Sequence, residues 1–103
     1  MVADNVRMQP AEPSGGRYAH IREAAAQANR AIASAGLVLL AFGNASAVDR
    51  DLGVFAIKPS GVPCERMRPE DAVVVAIADG RIVAGDLRPS SDEPTHRLLY
   101  QAL

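Results

Sequence analysis

Two β-hairpins are predicted in the middle of the chain, and they restrict it to a sheet that is mostly antiparallel. Residues 45–48 and 54–57 are apolar segments of strand length, and the turn between them is polar. Residues 72–78 form the most apolar strand candidate, and Asp79-Gly80 after them is a pair typical of a tight hairpin. Because a hairpin joins antiparallel neighbours, the sheet is expected to be mostly antiparallel. Its apolar faces must be buried, so helices are expected to pack against them.

One amphipathic helix is predicted before the hairpins, over residues 18–35. Apolar residues recur at helical spacing along one face, and they are Ile21, Ala25, Ala28, Ile32 and Ala35. Gly36, directly after this stripe, is a signal for the end of a helix. Residues 37–42 are aliphatic without alternation, which suits a strand buried on both faces.

A second helix is predicted near residue 100. Either Ser91 or Asp92 is expected to cap it, and Pro94 lies in its first turn. Residues 1–17 contain proline and glycine without any period, so we expect a flexible N-terminal tail followed by one domain over residues 18–103. The predicted fold class is α/β with an α+β-like arrangement, in which helices pack on a mostly antiparallel sheet.

Composition excludes several classes of function. The 103 residues suffice for one small domain, and their net charge of −1 favours neither a nucleic-acid partner nor an anionic membrane. The longest apolar run is far too short to span a bilayer. The single cysteine, Cys64, has no partner for an internal disulfide, which suits a reducing compartment. We therefore predict a cytoplasmic protein with no nucleic-acid and no membrane partner.

Three loops share a composition suited to binding an anion. Glycine lets backbone N–H groups approach an anion, and hydroxyls or amides add donors without a fixed charge. Each loop alone is also typical of an ordinary turn. If the loops meet, they form a phosphate cradle that the start of the second helix completes. The loop residues are Gly43 and Asn44, Ser60 and Gly61, and Ser90, Ser91 and Asp92.

Asp92 is the acidic residue of greatest interest. One interpretation is a plain N-cap, and the other is a metal ligand or proton acceptor beside a bound phosphate. Ser91 is able to cap the helix unaided, which favours the functional interpretation of Asp92. His96 and His20 are predicted to be structural, because metal sites usually need several His or carboxylate ligands.

Two further reactive residues are predicted to have no chemical role. Lys58 is expected to be a strand-end charge, although stabilisation of an oxyanion stays open as an alternative. Cys64 has no histidine close in sequence to activate it, so an inert thiol is expected.

Four segments together carry a resemblance to a known family. They are GNASAVD at 43–49, KPSGV at 58–62, MRPED at 67–71 and LRPSSDEPTH at 87–96. In this order and at this compact spacing they resemble the amino-terminal half of the class II aldolase/adducin family, and within it the L-ribulose-5-phosphate 4-epimerases. The resemblance covers residues 18–103.

The resemblance implies a fold, an activity and a set of site residues. The fold is class II aldolase-like, with a largely antiparallel sheet between helices in three layers, and members are usually homotetramers. The implied substrate is a sugar phosphate, cleaved at a C–C bond in a retro-aldol step and rejoined after the aldehyde turns. A divalent metal, typically zinc, stabilises the enediolate, and Asp92 is the implied catalytic carboxylate and the implied metal-site residue. The implied phosphate-binding residues are Gly43, Asn44, Ser60, Gly61, Ser90 and Ser91.

The sequence departs from the family pattern at the metal site. The His-x-His motif and the later histidine that bind metal in the family do not occur here, and His96 is not a replacement for them. The expectation is therefore a truncated chain that keeps the phosphate cradle and is inactive alone. Aspartate at 92 favours an epimerase. The alternatives are a fuculose-phosphate-type aldolase, a methylthioribulose-phosphate dehydratase and a non-catalytic, adducin-like interaction module.

Overall fold

The computed structural model describes residues 2–4, 16–36 and 44–103. The strand predicted at 37–42 lies outside the described residues, and so does Gly43. The elements, in chain order, are β1 (Val2–Asp4), α1 (Ala19–Ser34), β2 (Ser46–Asp49), β3 (Val54–Ile57), short 3₁₀ helices at Cys64–Arg66 and Pro69–Asp71, β4 (Val73–Ala76), β5 (Ile82–Ala84) and α2 (Glu93–Ala102).

The sheet has the order β1-β2-β3-β4-β5, and the pairs from β2 to β5 are antiparallel. Both predicted hairpins are therefore present. The turn between β2 and β3 is held by Asp49, whose Oδ1 accepts the backbone N–H of Leu52 at 3.1 Å. An aspartate that bonds its own backbone a few residues on is a common way to fix a turn.

The first strand, β1, differs from the expected irregular tail. Residues Val2–Asp4 pair in parallel with β2, in the register Ala3 to Ala47. Backbone pairing at a sheet edge needs no alternation of side chains, so no apolar period marked this strand in the sequence. The rest of the predicted tail, residues 5–15, lies outside the described residues.

The side chains of β2, β3 and β4 alternate between two packed faces. On one face, Ala47, Ala56 and Val74 pack with α1 residues such as Ile21 and Ala25. The many alanines on this side allow helix and sheet to approach closely.

The opposite face packs against α2. Here Val48, Phe55 and Val75 surround Tyr100, whose ring centroid lies 5.1 Å from that of Phe55. The two helices thus cover opposite faces of the sheet, which is the predicted three-layer arrangement.

Helix α1 matches its predicted stripe except at the end. Ile21, Ala25, Ala28 and Ile32 are buried, whereas Ala35 is exposed because the helix ends at Ser34. Gly36 follows with φ of +73°, a left-handed conformation that glycine adopts without cost. In the ranges that the structure describes, no helix has the length and apolar character needed to cross a membrane.

Candidate functional site

Backbone hydrogen bonds join the second and third of the predicted loops. The N–H of Ser60 donates to the carbonyl of Arg88 at 2.8 Å, and the N–H of Ser90 donates to the carbonyl of Lys58 at 2.9 Å. These bonds flank an antiparallel bridge between Pro59 and Pro89, which have no N–H of their own. The loop after β3 and the loop before α2 are therefore fixed side by side.

Asn44 joins the first loop to the third. Its Nδ2 donates to Ser90 Oγ and to Asp92 Oδ2, both at 2.9 Å. An amide nitrogen carries two hydrogens, so one group holds a hydroxyl and a carboxylate at once. The structure thus brings Asn44, Ser60, Ser90 and Asp92 into one group of loops, which is the condition that the sequence analysis set for a phosphate cradle.

The start of α2 differs from the predicted cap. The helix begins at Glu93, and neither Ser91 nor Asp92 makes a side-chain cap. Asp92 is the N-cap residue by position, and Ser90 turns the chain just before it: its Oγ accepts the N–H of Asp92 at 3.1 Å and its carbonyl accepts the N–H of Glu93 at 2.9 Å. The expected cap is wrong because the Asp92 carboxylate is held by Asn44 instead. Pro94 lies in the first turn, as predicted.

Hydroxyl donors remain available at this group of loops. Ser90 is 8% exposed, and its oxygen already accepts two hydrogen bonds, so its own hydrogen is left to donate. Ser60 and Ser91 are exposed, and within the described residues their hydroxyls make no hydrogen bond. Gly61 has φ of +85°, the left-handed conformation that turns the loop there.

Lys58 lies at the end of β3, as expected, but it is buried. It is 8% exposed, and its Nζ donates to the carbonyls of Pro59 at 2.8 Å and Val62 at 2.6 Å. The ammonium group therefore holds the 58–62 loop closed and adds a positive charge to it.

Both histidines make contacts that hold elements together. His96 Nδ1 lies 2.6 Å from Ser46 Oγ, which lies 2.8 Å from the hydroxyl of Tyr100. Burial of the His96 ring lowers its pKa below the ordinary value. His20 Nε2 lies 2.6 Å from Asp49 Oδ2. Both are structural, as predicted.

A complete metal site is not formed by these residues. No group of three or more His, Cys, Asp or Glu side chains suited to a metal occurs in the part of the chain that the structure describes. Asp92 is the candidate ligand named from the sequence, and both histidines are engaged elsewhere. These residues therefore do not fit a divalent metal on their own.

Cys64 is buried, and burial raises the pKa of its thiol. A raised pKa leaves little thiolate near neutral pH, so the geometry agrees with an inert thiol. Its Sγ donates to Asn29 Oδ1 at 3.4 Å.

One buried polar residue was missed in the sequence. Asn29 lies on the packed side of α1 with no exposed surface, and it contacts the backbone of Ala45 beside the site. Its position next to the apolar face of the predicted helix could have indicated it, because a buried polar side chain needs hydrogen-bond partners.

The chain is similar in sequence to proteins of one known family. The family model described as Class II Aldolase and Adducin N-terminal domain matches residues 23–103. L-ribulose-5-phosphate 4-epimerase UlaF of Salmonella paratyphi C (strain RKS4594) is 51% identical over 74 residues, which cover 72% of this chain and 32% of the relative. The same protein of Salmonella typhi has the same identity and coverage. The chain thus spans about a third of the length of these curated relatives.

Solved structures share the fold. L-fuculose 1-phosphate aldolase superposes with a TM-score of 0.73 at 29% identity, covering 81% of this chain and 39% of that one. YgbL from Escherichia coli superposes with a TM-score of 0.69 at 26% identity, covering 81% of this chain and 39% of that one. The likeness confirms the predicted three-layer architecture.

Proposed function

This chain belongs to the family of class II aldolase and adducin N-terminal domains, and we propose that it forms the phosphate-binding part of an L-ribulose-5-phosphate 4-epimerase-like enzyme. The observation that carries the proposal is the side chain of Asn44, which holds Ser90 and Asp92 at 2.9 Å each. It ties the loop before β2 to a hydroxyl and a carboxylate of the loop before α2, which is distant in sequence.

The donors around Asn44 suit a phosphate group. We assign its oxygens to the hydroxyls of Ser60, Ser90 and Ser91 and to the backbone N–H of Gly61. Lys58, inside the adjoining loop, contributes positive charge, and the N-terminus of α2 contributes its helix dipole. Gly43 and Asn44 complete the proposed cradle from the loop before β2.

Asp92 is proposed to act on the sugar rather than on the phosphate. A carboxylate repels a phosphate dianion, so its use is at the neighbouring carbon atoms, where it exchanges a proton with a substrate hydroxyl. Asn44 fixes one carboxylate oxygen, and Oδ1 is left to accept that proton.

Epimerisation is favoured over cleavage by two observations. The epimerase relative is 51% identical over the matched region, whereas the fuculose-phosphate aldolase is 29% identical. Residue 92 is an aspartate, and the family resemblance implies aspartate at this position in epimerases and glutamate in fuculose-phosphate aldolases. The aldolase stays the second candidate because its structure superposes well.

Members of this family generally depend on a divalent metal. We extend the proposal to zinc for the assembled enzyme, although the described residues alone do not fit the ion. The assembled enzyme is further proposed to be a homo-oligomer of the cytoplasm. Phosphate binding is the part of the function that this chain's own residues are equipped to perform.

Calorimetric titration of the 103-residue chain tests the proposal. We expect L-ribulose 5-phosphate and inorganic phosphate to bind, and unphosphorylated L-ribulose to bind far more weakly. Equal binding of the sugar with and without its phosphate would refute the phosphate cradle. Fast epimerisation by the 103-residue chain alone would refute the proposal that phosphate binding is the part of the function its own residues perform.

A further inference from the structure

We infer that Asn29 is a positioning residue that sets the orientation of Asn44. Asn29 belongs to α1, on the far side of the sheet from α2, and none of its surface is exposed. It has no contact with the proposed ligand, so its effect must act through the backbone. The inference rests on the proposed function only for the identity of the ligand.

The amide of Asn29 uses all of its hydrogen-bonding capacity. Its Nδ2 donates to the carbonyls of Ala25 at 2.8 Å and Ala45 at 2.9 Å. Its Oδ1 accepts the N–H of Ala45 at 2.9 Å and the Sγ–H of Cys64 at 3.4 Å. A buried amide with every donor and acceptor paired has one orientation, because any rotation leaves a polar atom without a partner.

The contact with Ala45 mimics the pairing between two β-strands. Both the N–H and the carbonyl of Ala45 bond to one side chain, which fixes the peptide units on both sides of that residue. One of these is the peptide that joins Asn44 to Ala45. This peptide fixes the backbone from which the Asn44 side chain extends.

The next residue along the chain is fixed from the opposite face. Ser46 Oγ bonds His96 and Tyr100, both on α2. Asn44 therefore emerges from a backbone held to α1 by Asn29 and to α2 by Ser46. With the backbone fixed, one Nδ2 group reaches Ser90 and Asp92 at the same distance of 2.9 Å.

Asparagine is the residue type that this position requires. Leucine has a similar volume, but it leaves the N–H and carbonyl of Ala45 buried without partners. Ionised aspartate accepts the N–H but has no hydrogen for the carbonyls of Ala25 and Ala45. The two substitutions therefore remove all or half of the contact.

Nuclear magnetic resonance of Asn29→Leu and Asn29→Asp tests the inference. The readouts are the Asn44 side-chain amide signal and the dissociation constant for inorganic phosphate, measured where each variant is folded. We expect Asn29→Leu to move the Asn44 signal and to weaken phosphate binding about tenfold, and Asn29→Asp to do so at least as strongly, because its ionised carboxylate faces the carbonyls of Ala25 and Ala45.

Ile21→Ala is the matched control, because Ile21 is buried on the same helix but packs with Ala47 rather than with Ala45. It should lower the thermal midpoint and leave the Asn44 signal and phosphate affinity unchanged. An unchanged Asn44 signal in Asn29→Leu would overturn the inference. So would an Ile21→Ala variant that moves the signal equally.

Two further outcomes keep the tests separate. If the wild type binds no phosphate ligand, the proposed function fails, and the Asn44 signal still decides the inference. If neither Asn29 variant folds, hydrogen exchange in the wild type decides it. The Ala45 N–H must then exchange as slowly as the amides of β3, and rapid exchange refutes the contact.

Discussion

At the scale of single residues, the site depends on short polar side chains. Some of them hydrogen-bond within the protein and hold the loops together, and others are exposed to a ligand. Asn44 holds Ser90 and Asp92, and the Ser90 hydroxyl also accepts the backbone N–H of Asp92 at the start of α2. Ser91 is exposed and makes no hydrogen bond within the described residues. The roles of Ser90 and Ser91 therefore separate, although the sequence presents them as an identical pair.

Substitution of Ser91 separates ligand binding from stability. We expect Ser91→Ala to weaken phosphate binding about fivefold, the loss of about one hydrogen bond of 1 kcal/mol, with the free energy of unfolding unchanged within about 0.5 kcal/mol. Calorimetric titration and urea unfolding measure the two quantities. Unchanged affinity would remove Ser91 from the phosphate cradle.

The His96 ring predicts how stability depends on pH. Burial lowers its folded-state pKa below the ordinary 6.5, so the unfolded chain binds a proton more readily. The contribution of neutral His96 to the free energy of unfolding is complete above pH 6.5, and it is lost as the pH falls through the folded-state pKa. Urea unfolding should show that the free energy of unfolding falls between pH 7.5 and 5.5. This decrease should be smaller in His96→Gln. Identical slopes in the two proteins would contradict this assignment.

At the scale of elements, local signals predicted the hairpins and helices, and tertiary contacts decided the rest. Strand β1 pairs through its backbone, and no alternation marked it. Ser91 or Asp92 was expected to cap α2, but Asp92 stands at the N-cap without a side-chain cap because Asn44, distant in sequence, holds its carboxylate. Contacts between distant residues of this kind leave no local pattern in one sequence.

Two glycines at hairpin ends provide a matched test of this element-level account. A Cβ on Gly85, where φ is +105°, would lie 3.0 Å from the Ala72 carbonyl oxygen and 3.2 Å from Val73 Cα. These are backbone atoms of the neighbouring chain segment and have little room to move. Gly53, where φ is +71°, has nothing within 4 Å.

We expect Gly53→Ala to cost about 1 kcal/mol for its left-handed backbone, and Gly85→Ala to cost about 2 to 3 kcal/mol because a backbone clash is added. Urea unfolding of the two variants measures the difference. Equal costs would indicate that the β4–β5 hairpin relaxes around the added methyl group.

At the scale of the whole molecule, the proposed cradle exists only when the chain is folded. Its loops come from the ends of β3 and the starts of β2 and α2, and the family fold brings them together. The four sequence segments predicted this convergence because their order matched a family. The side-chain contacts of Asn29 and Ser46 that fix these loops could not be predicted from the order of the segments.

A ligand that bridges these loops must stabilise the entire fold. At a free concentration of 100 times its dissociation constant, it should raise the free energy of unfolding by about 2.7 kcal/mol. Thermal unfolding with increasing L-ribulose 5-phosphate measures the effect, and L-ribulose is the control. Binding without any rise in the midpoint would place the ligand on a segment that stays structured after unfolding.

The most direct test of the central claim is a map of amide shifts on addition of L-ribulose 5-phosphate to the ¹⁵N-labelled chain. We expect the largest changes at Ser60, Gly61, Ser90 and Ser91 and at the Asn44 side chain. Asn44→Ala should reduce all of them together. Changes centred on His20 and Asp49, with these loops unaffected, would contradict it.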